Sequence, residues 1–281
     1  MTVDHDIEKD ERALRLPGDA PSPEASSPQV EMTLLDHLEE LRWVVFKSVV
    51  AFVAGCSLVV FFITRFADLL RWPYEFAIAG YEDVVAMHGL INTSFLGVFS
   101  VIFQLMFIGG IGMALPIVLY FFGGFIAPGL TPAERRILRP GCVAAFLLFL
   151  GGGLFSFFIL LPLGLRASVV FNDMLGFTLL ITASSYYSLL TWAVLGVGLV
   201  FQFPLILVLL IFMGVLETAQ LRAFRRYSII FFLLVSAILT PADPITLFVL
   251  AIPMCLLYEG AILVGVRIER WKAKRDAELD F

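Results

Sequence analysis

Charged side chains are scarce in this chain. Of its 281 residues only 15% are charged, whereas 60% are hydrophobic, and the mean hydropathy is +0.94. A soluble domain of this length does not need so much apolar surface. The composition therefore excludes an ordinary soluble protein and predicts a chain that crosses a membrane several times.

Motifs of common enzyme chemistry are also missing. The sequence has no GxxxxGK[ST] phosphate loop, no HExxH, no GxSxG and no pair of intramembrane aspartates. Cys56, Cys142 and Cys255 each stand alone in an apolar stretch, and the three histidines are scattered, so neither disulfides nor a metal site are expected. We therefore predict no enzyme, no cofactor and no nucleic-acid partner.

Acidic residues are concentrated at the N-terminus. Residues 1–32 hold eight acidic and three basic side chains, which account for the formal net charge of −5. The stretch "LPGDAPSPEASSP" offers little apolar surface to bury, so residues 1–31 are predicted to be a disordered acidic tail. The tail has no basic start followed by an apolar core, so it is not a signal peptide.

Six apolar runs are candidates for membrane helices. A full crossing needs about 20 residues. They cover residues 43–65, 98–122, 141–165, 186–214, 227–240 and 245–266. Eleven Lys and Arg residues follow the second, fourth and sixth runs, against Arg65, Arg71 and Arg166 on the opposite side. The positive-inside rule then places both termini in the cytoplasm. The predicted organisation is a tail (1–31), a membrane domain (32–270) and a C-terminal tail (271–281).

The last two runs predict short fifth and sixth helices. "SIIFFLLVSAIL" has twelve residues, which at 1.5 Å each span about 18 Å of a hydrocarbon core of about 30 Å. "TPADP" then turns the chain, and Asp243 is expected to cap or orient that turn. Pro116, Pro204 and Pro253, in the second, fourth and sixth runs, and the triplet Gly151–Gly153 in the third suggest kinks or close packing. The predicted fold is all-α, with six transmembrane helices in a curved, groove-forming bundle.

Two polar segments lie where helices enter the membrane. "MTLLDHLEELRWVVF" places Glu39 and Glu40 side by side, about 100° apart on a helix, so that one can be solvated while the other faces protein. In "FIAPGLTPAERR", Thr131 can cap a helix that starts with Pro132, and Glu134 can complete the capping box. Spacing alone allows both this structural role and a functional one for Glu134.

Five segments, in order, resemble the TatC family, the core subunit of the twin-arginine protein translocase. They are "HLEELR", "FIAPGLTPAERR", "FQFP", "AILTPADP" and "LAIPMCLLYEG", and the resemblance covers residues 33–270. It implies a receptor in the cytoplasmic (inner) membrane that binds the twin-arginine signal peptides of folded cargo at the cytoplasmic face. The partners it implies are TatA and TatB type single-span proteins, other TatC copies and membrane lipids, with the proton motive force driving export.

The resemblance also implies a signal-peptide site. Glu40 and Glu134 match the family's signal-binding glutamates, and a carboxylate can accept paired hydrogen bonds from an arginine fork, which a lysine ammonium cannot supply. Arg42 matches the family's arginine, and it is interpreted as positioning Glu40 or satisfying the membrane interface. The other residues assigned to this site are Leu41, Phe125 and Pro128.

Three further positions are candidates for polar contacts. The family commonly has a glutamate where this chain has Gln202, before Pro204 in helix four, and we expect Gln202 to hydrogen-bond a partner helix or, less favoured, another helix of the same bundle. Asp243 and Glu259 match late acids of the family. Glu259 lies within a span and is a functional candidate whose partner the sequence does not reveal.

Two other functions remain open from the sequence. A small-solute secondary transporter would show inverted repeats and midplane charges, whereas here the charges cluster at helix ends and no repeat is evident. A TatC paralogue specialised for particular cargo would fit the unusual Gln202.

Overall fold

The computed structural model describes residues 34–81, 84–85, 89–127, 132–240 and 243–279, without the side chains of 34–36, 132–137, 139 and 275–279. The chain divides into two compact units, residues 1–39 and 40–281. The description of the first unit is limited to residues 34–39, which begin a helix. The predicted acidic tail, residues 1–31, lies outside the described residues.

The described ranges are almost entirely helical. In chain order the helices are α1 (Leu34–Phe61), α2 (Ile63–Leu70), α3 (Trp72–Ile78), α4 (Gly97–Ile126), α5 (Pro132–Phe155), a π-helical turn (Ser156–Leu160), α6 (Leu161–Met174), α7 (Ala183–Val200), α8 (Phe203–Phe212), α9 (Thr218–Leu239) and α10 (Pro244–Leu279). Five of the six predicted runs lie on one long helical segment each, with α5–α6 and α7–α8 counted as one segment each. The first run, 43–65, continues past the end of α1 at Phe61 into α2. The all-α membrane fold is confirmed.

Five segments of the described chain are long and apolar enough to cross a membrane. They are His37–Phe61, Gly97–Ile126, Pro140–Met174, Ala183–Phe212 and Pro244–Lys274. The predicted fifth run is not among these five segments. It lies on α9, whose 22 residues begin with the polar stretch "TAQLRAFRRYS". Its apolar part is the twelve-residue run that the sequence analysis identified.

The sixth helix differs from the short helix that was predicted. Helix α10 has 36 residues and continues through Arg267 and Lys274 to Leu279, across the predicted boundary at residue 270. The apolar run ends near residue 266, but nothing in "RIERWKAKRDAEL" breaks a helix, so the backbone continues beyond the apolar run. The charged extension therefore belongs to the same helix as the membrane segment.

Proline and π-helical geometry interrupt the long segments at two places. In the fourth segment, α7 ends at Val200 and α8 begins at Phe203, with Pro204 in the first turn of α8, where its missing N–H costs nothing. In the third segment, a π-helical turn begins at Ser156, three residues after Gly153. Such turns are often associated with functional sites or bends in membrane helices.

Two hydrophobic clusters form the core. One cluster joins α7, α8, α9 and α10, with Val197, Phe232, Leu250 and Ile262 at or below 1% exposure. The other joins α2 to α4 with α6, α7 and the π-helical turn, around fully buried Leu190. The segment α7–α8 contributes to both clusters, so it is the central element of the packing.

Tyrosines of α7 attach the short helices α2 and α3 to the bundle. The Tyr186 hydroxyl donates to the Leu70 carbonyl at 2.6 Å, and the Tyr187 hydroxyl donates to the Ala67 carbonyl at 3.2 Å. Tyr74 of α3 is 1% exposed and packs against Tyr186; its burial raises the pKa of the phenol, while Arg71 lowers it. These contacts hold the connection between α1 and α4 against the start of α7.

Helices α5 and α7 cross at very short range. A Cβ atom placed on Gly152 would lie 2.9 Å from the Val197 carbonyl oxygen and 3.0 Å from the Gly198 Cα atom. Both are backbone atoms of α7, so a side chain at residue 152 would have to push the helices apart. The close packing suggested by the glycine triplet is therefore confirmed at Gly152.

Candidate functional site

A groove lies between α1, α4 and the first turns of α5. Its volume is about 820 Å³, and its described wall is mostly apolar and aromatic: Glu40, Trp43, Val44, Lys47, Pro116, Leu119, Tyr120, Phe121, Gly123, Gly124, Phe125, Ala127, Leu138, Cys142, Val143 and Phe146. We call it the Glu40 groove. Glycines at 123 and 124 keep the α4 wall low, and Pro116 lies on the same helix.

Glu40 occupies the N-terminal end of this groove. Its Oε2 atom is buried and has no hydrogen-bond partner among the described residues. A buried carboxylate oxygen that lacks a partner costs free energy, because it has given up water without gaining a protein donor. The geometry therefore leaves a strong acceptor at the groove, available to a cationic donor.

The neighbours of Glu40 on α1 have different environments. Glu39 is exposed and does not line the groove. Arg42 is also exposed, with its guanidinium carbon 5.9 Å from the centroid of Trp43, and Leu41 is half-buried outside the groove wall. The structure thus places Arg42 at Trp43, and no ion pair joins it to Glu40 among the described residues.

The second predicted segment is described in part. Phe125 lies in the groove wall, as the predicted site requires, whereas Pro128 lies outside the described residues. Pro132 is the first residue of α5, as predicted, and Glu134 lies in the first turn of that helix. The Glu134 side chain is outside the description, so its predicted role stays a prediction.

Lys47 is a groove residue that the sequence analysis missed. Its ammonium nitrogen lies 5.3 Å from the centroid of Phe121 on the opposite wall, within the range of a cation–π contact. The signal was present in the sequence, because Lys47 is the one cation between Trp43 and Thr64.

The side-chain amide of Gln202 makes a hydrogen bond within the bundle. Its Nε2 atom donates to the Ala145 carbonyl of α5 at 2.9 Å, at the break between α7 and α8. Pro204, two residues later, is buried in the first turn of α8. The structure therefore contains the internal hydrogen bond that was the less favoured alternative, and it adds to the α5–α7 contact at Gly152.

Asp243 caps α10, as the sequence analysis expected. One carboxylate oxygen accepts a hydrogen bond from the backbone N–H of Thr246 at 2.8 Å, and the other accepts one from the Thr246 hydroxyl. The Asp243 carboxylate at this end is also favoured by the helix dipole. The start of α10 is thus fixed by local capping.

Glu259 has a partner that the sequence did not reveal. Its Oε2 atom lies 2.7 Å from Arg225 Nη2, and both side chains are about half exposed, at 45% and 50%. The pair joins the polar half of α9 to the middle of α10. The guanidinium thus gives the carboxylate in this span a partner of opposite charge.

The charged extension of α10 holds both ends of the loop between α8 and α9. Glu269 accepts hydrogen bonds from the backbone N–H and the hydroxyl of Thr218, the first residue of α9. Lys272 donates to the carbonyl of Phe212, the last residue of α8. An acid at a helix start and a base at a helix end both complement the helix dipole, so this extension is part of the folded bundle.

Replacing Glu269 with alanine is expected to loosen the start of α9. The change removes both Glu269 acceptors from Thr218, whereas the capping box between Glu217 and Gln220 stays in place, and a hydrogen bond typically contributes about 0.5–1.5 kcal/mol. Amide hydrogen exchange at residues 218–221 should become severalfold faster in the purified protein. Arg270→Gln, an exposed neighbour, serves as the control, and equal exchange in both variants would contradict the capping role.

Together, the fold and the groove define a class: a multi-pass helical membrane protein with a carboxylate at the end of an aromatic-lined groove. The model of the TatC family, described as Sec-independent protein translocase protein, matches residues 36–253. The chain belongs to the TatC family and is a subunit of the twin-arginine protein translocase. This is a protein-transport family, and the membrane-protein class agrees with it.

Relatives and solved structures cover most of the chain. TatC of Aquifex aeolicus is 33% identical over 246 residues, covering 86% of this chain and 98% of the relative. TatCy of Bacillus subtilis is 30% identical over 252 residues, covering 89% and 94%. A crystal structure of the twin arginine translocase receptor TatC matches with a TM-score of 0.68 and 32% identity, over 83% of this chain and 99% of that one.

Proposed function

We propose that this subunit is the signal-peptide receptor of its translocase, and that the Glu40 groove is the binding site. The observation that carries the proposal is the buried Oε2 atom of Glu40, which lies beside an apolar groove and has no hydrogen-bond partner in the described part of the chain. A twin-arginine signal peptide has the complementary chemistry, because an arginine pair supplies donors and the apolar segment that follows supplies surface to bury. Glu134, in the first turn of the adjoining helix, is proposed as a second acceptor.

The remaining groove residues suit the apolar part of such a peptide. Trp43, Tyr120, Phe121 and Phe125 offer aromatic surface, and burying apolar surface contributes about 25 cal/mol per Å². Arginine is preferred over lysine because its planar guanidinium can donate two parallel hydrogen bonds to one carboxylate. A charge-assisted hydrogen bond contributes about 1.5–3 kcal/mol, which corresponds to roughly tenfold to hundredfold in affinity.

The setting of this site completes the proposal. The subunit lies in the cytoplasmic membrane with both termini in the cytoplasm, because eleven Lys and Arg residues follow the second, fourth and sixth apolar runs. TatA and TatB type proteins and other TatC copies are the proposed partners, and the proton motive force drives export.

Gln202 and Pro204 are proposed as one contact with a partner helix. The amide of Gln202 uses one donor on the Ala145 carbonyl, and an amide has a second donor and an acceptor oxygen in addition. Pro204 leaves the backbone interrupted nearby, so a partner helix with a polar side chain could reach the remaining groups. Glu259, with its exposed pair Arg225, is a further polar candidate on this part of the bundle.

Peptide binding to the detergent-purified chain tests the receptor proposal. A labelled signal peptide with Arg-Arg is compared with its Lys-Lys twin, on the wild type and on Glu40→Gln. We expect the wild type to prefer Arg-Arg, and we expect Glu40→Gln to weaken Arg-Arg binding by about tenfold or more, because the variant removes the charge from the acceptor.

The adjacent residue provides a matched control. Glu39→Gln changes the same functional group one residue away, on an exposed side chain that does not line the groove. Its affinity for Arg-Arg should stay within about twofold of the wild type. Absence of an Arg-Arg preference in the wild type, or equal losses in the two variants, would contradict the proposal.

A further inference from the structure

The Glu40 groove has two charged poles on one helix face. Glu40 and Lys47 are seven residues apart on α1, which is two helical turns or about 10 Å along the axis. Both line the groove, and among its described lining residues they are the two that carry charge at neutral pH. The anionic pole lies at the N-terminal end, and the cationic pole lies farther into the apolar run.

The Lys47 ammonium is held at the groove wall. Phe121 of α4 faces it across the groove, with 5.3 Å between Nζ and the ring centroid. Lys47 is also exposed, so a molecule in the groove can reach it. A cation within an apolar segment is costly, and its presence there favours a functional role over a structural one.

When a signal peptide places its arginine at Glu40 and its apolar segment lies along the groove, that segment passes Lys47. In a signal peptide the apolar segment follows the basic residues, and the groove becomes apolar beyond Glu40. At about 3.3 Å per residue an extended peptide would bring its third residue after the arginine to Lys47, and a helical peptide at 1.5 Å per residue would bring its seventh. The register depends on the peptide conformation, but the order of the two poles does not.

We propose that Lys47 is a specificity determinant of the groove, which rejects a cation in the segment that follows the arginine pair. The inference rests on the proposed signal-peptide function. Lysine or arginine at the peptide position that reaches Lys47 would meet a like charge in a mostly apolar groove, where charges are poorly screened. A neutral residue is accepted, and an acidic residue gains an attraction. Glu40 thus selects the arginine pair, and Lys47 limits how far positive charge extends beyond it.

A positional scan tests this role on the full-length, detergent-purified chain. Each peptide carries Arg-Arg followed by an apolar segment in which one position, from the first to the eighth, is Gln, Lys or Glu. In the wild type we expect Lys to bind about tenfold more weakly than Gln at one position or two adjacent ones, with Glu equal to or tighter than Gln. The position of the maximum, third or seventh, reports whether the bound peptide is extended or helical.

Substitutions at residue 47 separate charge from structure. Lys47→Met should erase the lysine penalty at that position and leave the preference for Arg-Arg over Lys-Lys intact. Lys47→Arg, which retains the charge, should retain the penalty. A penalty that persists in Lys47→Met while Arg-Arg is still preferred would overturn this inference alone, whereas loss of any Arg-Arg preference in the wild type would overturn the receptor proposal with it.

An anionic lipid headgroup is the competing ligand for this lysine. The same variants are reconstituted in nanodiscs with and without an anionic phospholipid, and retention of that lipid through purification is measured. If Lys47→Met reduces lipid retention and leaves the peptide ranking unchanged, Lys47 binds lipid and the specificity role is wrong. Unchanged lipid retention together with an altered peptide ranking supports the proposal.

Discussion

Export of twin-arginine cargo is expected to fall to background when Glu40 is replaced by lysine. The variant removes the groove carboxylate, whose buried Oε2 atom has no partner within the described ranges, and puts a second cation two turns from Lys47. A peptide arginine about 5 Å from a lysine at residue 40 would be repelled by about 3 kcal/mol at an effective dielectric constant of about 20, and the lost hydrogen bonds add to this cost. A combined effect of this size corresponds to more than a hundredfold loss of affinity for the arginine pair.

The measurement is complementation in a cell that lacks its own TatC protein. Cargo is quantified in the compartment outside the membrane, with the variant present in the membrane at the wild-type level. Glu39→Lys is the matched control, since it introduces the same charge on an exposed side chain next to the groove residue, and it should keep most of the export. If Glu40→Lys exports at half the wild-type rate or more, the carboxylate is not the receptor's essential acceptor.

Gly152→Leu is expected to destabilise the folded bundle strongly. Its side chain would begin 2.8 Å from Phe201 Cγ and about 3 Å from two backbone atoms of α7, so the helices must separate. Overpacking of this kind typically costs about 1–3 kcal/mol or more. Separation would also lengthen the hydrogen bond between Gln202 and the Ala145 carbonyl, which spans the same two helices.

Gly151→Leu is the matched control, because it makes the same substitution at the neighbouring residue. A Cβ atom on Gly151 meets no atom within 4 Å, so Gly151→Leu should leave the protein close to the wild type. Thermal unfolding of the detergent-purified variants and their monodispersity in size-exclusion chromatography give the comparison. We expect Gly152→Leu to be aggregated or to unfold at least about 5 °C earlier, and identical behaviour of the two variants would show that the crossing of α5 and α7 can adjust.

Much of the architecture could be predicted from the apolar runs and from the positions of proline and helix-capping residues. Apolar runs identified the six helical segments, Pro132 marked the start of α5, and Asp243 marked the cap of α10. These features are local, because hydrophobicity over about 20 residues and the conformational limits of proline act within a few turns. The length of α10 was underestimated for a related reason: the search followed apolar residues, whereas a helix continues through charged residues that are good helix formers.

The features of the candidate site also separate into those that local sequence determines and those that tertiary packing determines. The sequence determined by itself that acids lie at the entrance of the first helix, that two of them are 100° apart and that the chain resembles TatC, because residue order and helical geometry suffice for those statements. The tertiary structure decided that Glu40, and not Glu39, lines the groove and that Lys47 lies against Phe121. It also decided that Gln202 bonds to Ala145 and that Glu269 and Lys272 hold the loop between α8 and α9. Each of these contacts joins residues at least 50 positions apart, or depends on which face of a helix its neighbours cover, and no local pattern in a single sequence encodes that choice.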